Sequence, residues 1–381
     1  MAAAEDPVFV LGLDLSTQSA TGVIASTTPV GGSVRESAAA ATTVSVAAEE
    51  SINFDAALPQ YGTSHGVHHR RVPSDDGGET VTSPVAMWVD ALEQLFATLR
   101  NKHGLLLSRV RAISVSAQQH ATVLVADPSA FLQAVNEDPS APLSPRLLPT
   151  LASPNARVWM DASTETDRQR FLAHVNEAAN KSPAEDTVRA ITGARAELRY
   201  VASQLMGLER LTPGLVSERT ARVHLCSAMV ASLLAGVDAP VDRGDAAGTN
   251  LFDLRSMRWS SELIKCTGLS SLAASLGPTP VPAGTVLSRD RPPSRWCTRM
   301  LGGPEAPVAI VSGSGDNPCS LVGCFAADPT EAAVSVSLGT SDTVCAPIAR
   351  YQPQSTAALP TARRSVLADL VAEPCTMGNR G

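Results

Sequence analysis

No cysteine precedes Cys226 in this 381-residue chain, the total of seven is odd, and no CxxC pair occurs. That pattern excludes a disulfide framework and the common zinc arrangements, and it fits unpaired thiols in a reducing compartment. No apolar run reaches the roughly 18 residues a membrane helix needs. The first residues, Met1 to Pro7, carry acids without a basic stretch or an apolar core, so no secretory signal is read there and a cytoplasmic location is expected. Positive charge is also scarce: the net charge is −7, which argues against a general nucleic-acid binder, because phosphate affinity requires concentrated Lys and Arg. The one basic run, His68 to Arg71, is followed by Asp75 and Asp76 and reads as a solvated loop rather than a metal site. What remains is a soluble globular chain, 44% hydrophobic and long enough for two domains.

The most informative stretch is Val308 to Gly323. A short apolar strand (Val308 to Val311) runs through Ser312, Gly313, Ser314 and Gly315 to Asp316 and Asn317, and a helix is expected to open at Pro318. Glycines permit the sharp turn and proline suits a first helical turn, so the pattern fixes one carboxylate in space. Asp316 is therefore a candidate for the chemistry; the competing reading is a simple helix cap.

Earlier in the chain, Val8 to Leu13 reads as a strand buried on both faces, ending in Asp14, Leu15, Ser16, Thr17, Gln18 and Ser19 before a second strand at Thr21 to Ala25. A carboxylate at a strand end beside small hydroxyl residues suits a hydrated cation and phosphate oxygens. A second unit of this kind, Glu331 to Ala346, has its turn at Leu338, Gly339, Thr340, Ser341 and Asp342. Two such units suggest a duplicated architecture holding a nucleotide between its halves, or else two unrelated hairpins.

A helix capped by Ser83 and closed by Gly104 follows, with Trp88, Leu92, Leu95, Phe96 and Leu99 on one face. The strand Val110 to Val115 then delivers Gln118, Gln119 and His120 to its carboxyl end, where open α/β sheets bind ligands. Asp127 to Pro154 reads as a surface loop insertion, Arg157 to Met160 as a strand, and Glu218 to Leu234 as one long helix. Asp242 and Asp245 form an acidic turn, read as structural in preference to an acid/base or metal pair. Pro278 to Arg295 reads as a linker between halves, giving expected domains 1–295 and 296–381.

Taken together, these motifs resemble the FGGY carbohydrate kinases, within that family most closely those of the eukaryotic xylulokinase type. The likeness is carried by Asp14 to Gln18, Val81 to Val85 with Met87 and Trp88, Gln118 to His120, and Trp159 to Asp161. It continues through Thr192 and Gly193 with Arg195 and Arg199, Asp242 to Thr249, Gly315 to Pro318, and Ser335 to Thr343. It implies a two-lobe α/β fold of the actin-like, ribonuclease H-like type, a sugar-binding first lobe and a nucleotide-binding second lobe. It further implies transfer of the γ-phosphoryl group of ATP to D-xylulose with Mg2+. By the same resemblance Asp316 is the general base; Gln119, His120, Arg199, Asp316 and Asn317 contact the sugar; Asp14 serves the metal; and Ser16, Thr17, Gly339, Thr340 and Ser341 contact phosphates. Thr21 stands where many relatives carry a Lys or Arg. Because the likeness fades after about Ala349, the second lobe is expected to be incomplete and this chain to be at best a weak kinase. A non-catalytic sugar-binding or regulatory fragment, and another activity such as ribulose or glycerol kinase, remain open readings.

Overall fold

The computed structural model describes residues 7–29, 42–71, 78–137, 141–178, 183–288, 291–304 and 306–325, with short strand pairs at 335–337, 343–345, 366–367 and 375–376. Its first sheet is built from β1 (Val8–Leu15), β2 (Ser19–Pro29) and β3 (Thr42–Asn53), joined by antiparallel pairing. A second sheet begins with β4 (His68–Arg71) and β5 (Glu79–Pro84). The chain then crosses through the helix Val85–Leu107 and returns as β6 (Val110–Ala117), parallel to β1 in the first sheet. β7 (Thr122–Val125), β8 (Asn155–Arg157) and β9 (Arg222–Leu225) complete the second sheet in the order β4-β5-β8-β7-β9. A small antiparallel pair follows, β10 (Phe252–Asp253) with β11 (Arg258–Trp259). Finally β12 (Ala309–Ile310) and β13 (Ser314–Gly315) lie parallel to β6, so the first sheet reads β12-β6-β1-β2-β3 with β13 also on β6.

The crossover helix shows why this sequence folds this way. Trp88, Leu92, Leu95, Phe96 and Leu99 recur at helical spacing and are all at most 1% exposed, as a core-facing stripe requires. They share one cluster with Leu11, Leu13, Leu15, Ile24, Ile113 and Val115 of the sheet. Ser83 is not its cap, as the sequence suggested. Pro84 occupies that position without a side-chain hydrogen bond, and Ser83 Oγ donates instead to the Gly66 carbonyl at 2.8 Å. Nor does Gly104 end the helix, which is kinked at His103 and runs on to Leu107.

Other local expectations are corrected. β1 alternates between buried and more open positions, with Val8 45% exposed, because the core packs against one face of it. The described parts of 127–154 are no surface loop: Asp127 caps the helix Pro128–Asn136, accepting from Ala130 N at 2.9 Å, and Phe131, Val135, Leu143 and Leu147 enter the first core. The expected long helix from Glu218 is the buried strand β9 followed by the helix Cys226–Ala235. The strand expected at Arg157 to Met160 lies earlier, at Asn155–Arg157, and the helix expected at Pro318 opens at Asp316. The second expected hairpin has its strands: Ser335–Ser337 pairs antiparallel with Thr343–Cys345, while Gly339, Thr340 and Ser341 lie outside the described residues.

The proline-rich stretch does not break the packing. Val281 bridges to Asp242 and Val286 to Val311, while Trp296, Cys297, Met300, Leu301, Val308 and Ile310 belong to the same core as β1 and β6. Residues on either side of 295 thus share one hydrophobic interior. Trp296 is fully buried, meets Phe96 edge-on at 6.1 Å and donates from Nε1 to Glu93 at 2.9 Å. Trp296→Ala is expected to cost about 3–5 kcal/mol in the chemical unfolding of this core. A loss below about 1 kcal/mol would mean that the segment after 295 is not packed as described.

Candidate functional site

Parallel pairing brings three strand ends into one row. Asp14 of β1 is in register with Ser116 of β6, and Ser116 with Ser314 of β13. Ser116 Oγ donates to Asp14 Oδ1 at 2.6 Å. Two residues beyond Ser314, Asp316 opens the helix Asp316–Phe325, and two residues beyond Ala117 come Gln119 and then His120. The sheet therefore gathers Asp14, Gln119, His120, Asp316 and Asn317 at a single carboxyl-terminal edge, where side chains from separate strands can meet one ligand.

Asp316 is held by its neighbours. Its Oδ1 accepts from the Asn317 backbone N–H at 2.9 Å and from Asn317 Nδ2 at 3.2 Å, and Asn317 Nδ2 also donates to Gln119 Oε1 at 3.4 Å. Burial raises the Asp316 carboxyl to about 6, and the negative charge of Asp14 adds to the effect against hydrogen bonds from the Asn317 and Gln119 backbones. Asp14 is also raised by burial, opposed by its bond from Ser116.

His120 adopts a left-handed backbone conformation, φ 64°, and stacks on Tyr200 with ring centroids 4.7 Å apart. Its Nδ1 lies 2.9 Å from the Gly248 carbonyl, which can only accept, so Nδ1 carries the proton and Nε2 is an acceptor. Burial, and then the positive charge of Arg199, push the imidazole down to about 3. It is therefore neutral throughout the physiological range. Gly248 must lack a side chain here, since a Cβ would come within 2.8 Å of the imidazole.

The turn after β1 is fixed from outside. Trp159 Nε1 donates to Thr17 Oγ1 at 2.8 Å, which leaves the threonine hydroxyl hydrogen to be given elsewhere. Ser16 Oγ donates to the Ser19 carbonyl at 3.1 Å and spends its hydrogen inside the turn, although its backbone stays close to Gln118, whose Nε2 donates to the Ser16 carbonyl at 3.4 Å. Among the expected residues, Arg199 is tied to the group by the effect of its charge on His120, and the phosphate turn at 339–341 lies outside the described residues.

The structure adds members that the residue types alone did not single out. Ser116, Ser314 and Tyr200 each touch an expected residue or its strand neighbour. The alternation Ser114, Ser116 along a buried strand beside Asp14 was the available signal for the first. Asp242 and Asp245 also belong here: Asp242 Oδ2 accepts from Ser314 Oγ at 2.8 Å, and Asp245 feels the charges of Asp242 and Asp316.

Several carboxyl groups near one another are chemically useful and structurally costly. A carboxyl raised in the folded state binds more protons there than in the unfolded chain, so its contribution to stability is lost as pH rises through the folded value. For Asp316 the window runs from about 4 to about 6. Asp316→Asn should raise the melting temperature at pH 7.5 by about 2–4 °C, with the gain shrinking toward zero near pH 4. An equal or larger gain at pH 4 would mean that Asp316 ionisation does not burden the fold.

Comparisons with known proteins show which proteins the chain is similar to. The chain is 33% identical over 296 residues to a xylulose kinase of Mus musculus, covering 78% of this chain and 49% of that protein. It is 33% identical over 307 residues to xylulose kinase 2 of Arabidopsis thaliana, covering 80% and 50%, and 30% identical over 358 residues to a probable D-xylulose kinase A of Aspergillus terreus, covering 93% and 56%. Among solved structures it resembles a xylulose kinase from Rhodospirillum rubrum, with a TM-score of 0.61 at 19% identity over 88% of this chain and 54% of that one. A glycerol kinase from Plasmodium falciparum gives 0.57 at 13% identity, with 89% and 54% covered. No family model matches the chain. The chain spans about half the length of the curated relatives it matches. It has the α/β fold of the actin-like ATPase type found in FGGY sugar kinases.

Proposed function

We propose that this chain, whose relatives are xylulose kinases and whose fold is that of the FGGY carbohydrate kinases, acts in the ATP-dependent phosphorylation of D-xylulose to D-xylulose 5-phosphate. The observation that carries the reading is the meeting of Asp316, Asn317 and Gln119 with Asp14 at one edge of the first sheet. In the reaction, a sugar hydroxyl oxygen forms a bond to the γ-phosphorus, the bridging P–O bond to ADP breaks, and the hydroxyl proton passes to Asp316. Phosphoryl transfer asks a protein mainly for positioning and charge neutralisation, so one poised carboxylate with an ordered neighbourhood suffices as base.

The remaining residues take roles suited to their surroundings. Neutral His120, with Nδ1 fixed on Gly248, accepts a sugar hydroxyl at Nε2; Arg199, Gln119 and Asn317 supply donors. Asp14 fits a magnesium ion, because it offers a carboxylate of which only Oδ1 takes the Ser116 hydrogen bond, and Mg2+ is commonly held by one or two carboxylates while keeping several waters. When bound, that ion would supply charge neutralisation for the phosphates. Thr17 and the Ser16 backbone, in the turn that follows Asp14, are assigned the phosphates, as are Gly339, Thr340 and Ser341. The division into a sugar lobe, 1–295, and the start of a nucleotide lobe, 296–381, is part of the same proposal, with the first residues after 295 packed into the core of β1 and β6. ATP, Mg2+ and a ketopentose are the partners it requires; among the described residues no helix is long and apolar enough to cross a membrane.

The test is turnover of D-xylulose with ATP and Mg2+, beside D-ribulose and glycerol. Turnover should be greatest with D-xylulose and fall about 10²- to 10⁴-fold in Asp316→Asn. Because the base must be ionised, kcat/KM should rise through pH about 6 and level above it. His120→Ala should raise the KM for the sugar. Sugar binding without ATP turnover would favour a binding protein, and preference for glycerol or D-ribulose would move the substrate within the family.

A further inference from the structure

The five-residue helix Arg243–Ala247 lies against the segment that carries Asp316 and is held to it by buried contacts. Asp242 caps that helix, accepting from Gly244 N at 2.7 Å and Asp245 N at 3.1 Å. The same carboxylate reaches 72 residues along the chain to accept from Ser314 Oγ at 2.8 Å. Space confirms how closely the two pieces fit. A Cβ on Gly244 would lie 2.5 Å from Ser314 Oγ. On the other side, a Cβ on Gly315 would collide with Gln119 Cγ and come within 2.7 Å of Asp245 Oδ1. Asp245 is itself anchored, since its Oδ2 accepts from Ser227 Oγ on the helix Cys226–Ala235. Asp242, Asp245, Ser227 and Ser314 are all at most 2% exposed.

We propose that the Asp242–Asp245 turn is a bracket that positions the base: Asp242 holds Ser314, and Asp245 closes against Gly315, so that the next residue, Asp316, faces the sugar in one orientation. This rests on the kinase reading for its catalytic consequence, but the mechanical link does not. Ser314 and Gly315 are held on one side by parallel pairing with Ser116 and Ala117 of β6, which fixes the strand along its length. A two-residue strand makes few ladder bonds, so pairing alone leaves its exit direction poorly determined. Side-chain contacts from the opposite side supply the missing constraint, and they act one and two residues before the carboxylate that must be aimed.

The electrostatics fit this division of labour. Asp242 acts only as an acceptor, for two backbone N–H groups and one hydroxyl, which suits a carboxylate. Asp245, buried beside Asp242 and Asp316, is raised well above the ordinary carboxylate range, first by burial and then by the charge of Asp242. An amide of the same shape would keep the packing against Gly315 and the bond from Ser227 without the charge.

Ser314→Ala removes the link while sparing the helix cap. In the full chain, the expected result is a 10- to 100-fold lower kcat for D-xylulose phosphorylation with the sugar KM changed by less than about twofold. The amides of residues 315–317 should exchange about tenfold faster at a nearly unchanged melting temperature. Asp245→Ala should behave similarly, and Asp245→Asn should recover most of the loss. Unchanged exchange at 315–317 in both Ser314→Ala and Asp245→Ala overturns the bracket, whatever happens to kcat. So does a KM rise that accounts for the whole loss of activity. If the unaltered chain does not phosphorylate the sugar, the kinase reading falls for this chain, and the exchange measurement still decides the bracket.

Discussion

The site depends on how closely the segment 313–315 can lie against β6. A Cβ on Gly313 would overlap the Val115 carbonyl, and one on Gly315 would overlap Gln119. Side chains at either position would push the strand away from the sheet, and the helix carrying Asp316 with it. With glycine at both, Ser314 comes into register with Ser116, and Ser116 with Asp14. Asp14 and Ser116 are 102 residues apart in the chain, and Ser314 lies further along still; here backbone hydrogen bonding sets their spacing, and the side chains only complete it. A row set by strand pairing is less free to move than one set by side-chain contacts, which under the kinase reading suits a reaction whose main demand is alignment.

Much of this was legible because it is written locally. The pattern of strand, small residues, acid and helix start at 308–323 is a short-range signal, and so is the hairpin around Asp14 to Ser19; each depends on turn chemistry and needs no knowledge of distant neighbours. Gln118 to His120 were found for the same reason, at the end of an apolar run following a helix with a clear stripe. The errors lie where hydrophobic runs lack a period. Residues 222–235 are buried without interruption, in β9 and in the following helix alike, so the sequence does not mark where one ends and the other begins. Residues 127–154 misled in the opposite way: their prolines and serines resemble a loop, yet Pro128 sits in a first helical turn behind the cap Asp127, where proline is at home. Asp242 and Asp245 were recognised as a turn, but their contacts with Ser314 and Gly315 are tertiary and could not be read from spacing.

The charges show why His120 is a better hydrogen-bonding partner than a cation. Arg199 already places a positive charge beside it, and burial removes the water that would stabilise a second. The neutral ring keeps a fixed orientation through Gly248 and Tyr200, and its acceptor nitrogen complements the donors of Arg199 and Asn317. Under the kinase reading the ligand is a polyol, with donors and acceptors on its carbons, and a mixed set of neutral and charged partners distinguishes orientations that a uniformly cationic pocket would not.

The acidic groups meet the opposite problem. Asp14, Asp242, Asp245 and Asp316 occupy one region, and each is raised by burial. The least costly arrangement keeps some of these groups protonated, and the surroundings assign the parts: Asp242 accepts from three donors, whereas Asp245 feels the charges of Asp242 and Asp316. Under the kinase reading, a cation at Asp14 would make the ionised form of Asp316 easier to reach, because it offsets the like charge that now opposes it. Substrate arrival and base ionisation would then be coupled through the field in the site, with no movement of the backbone required.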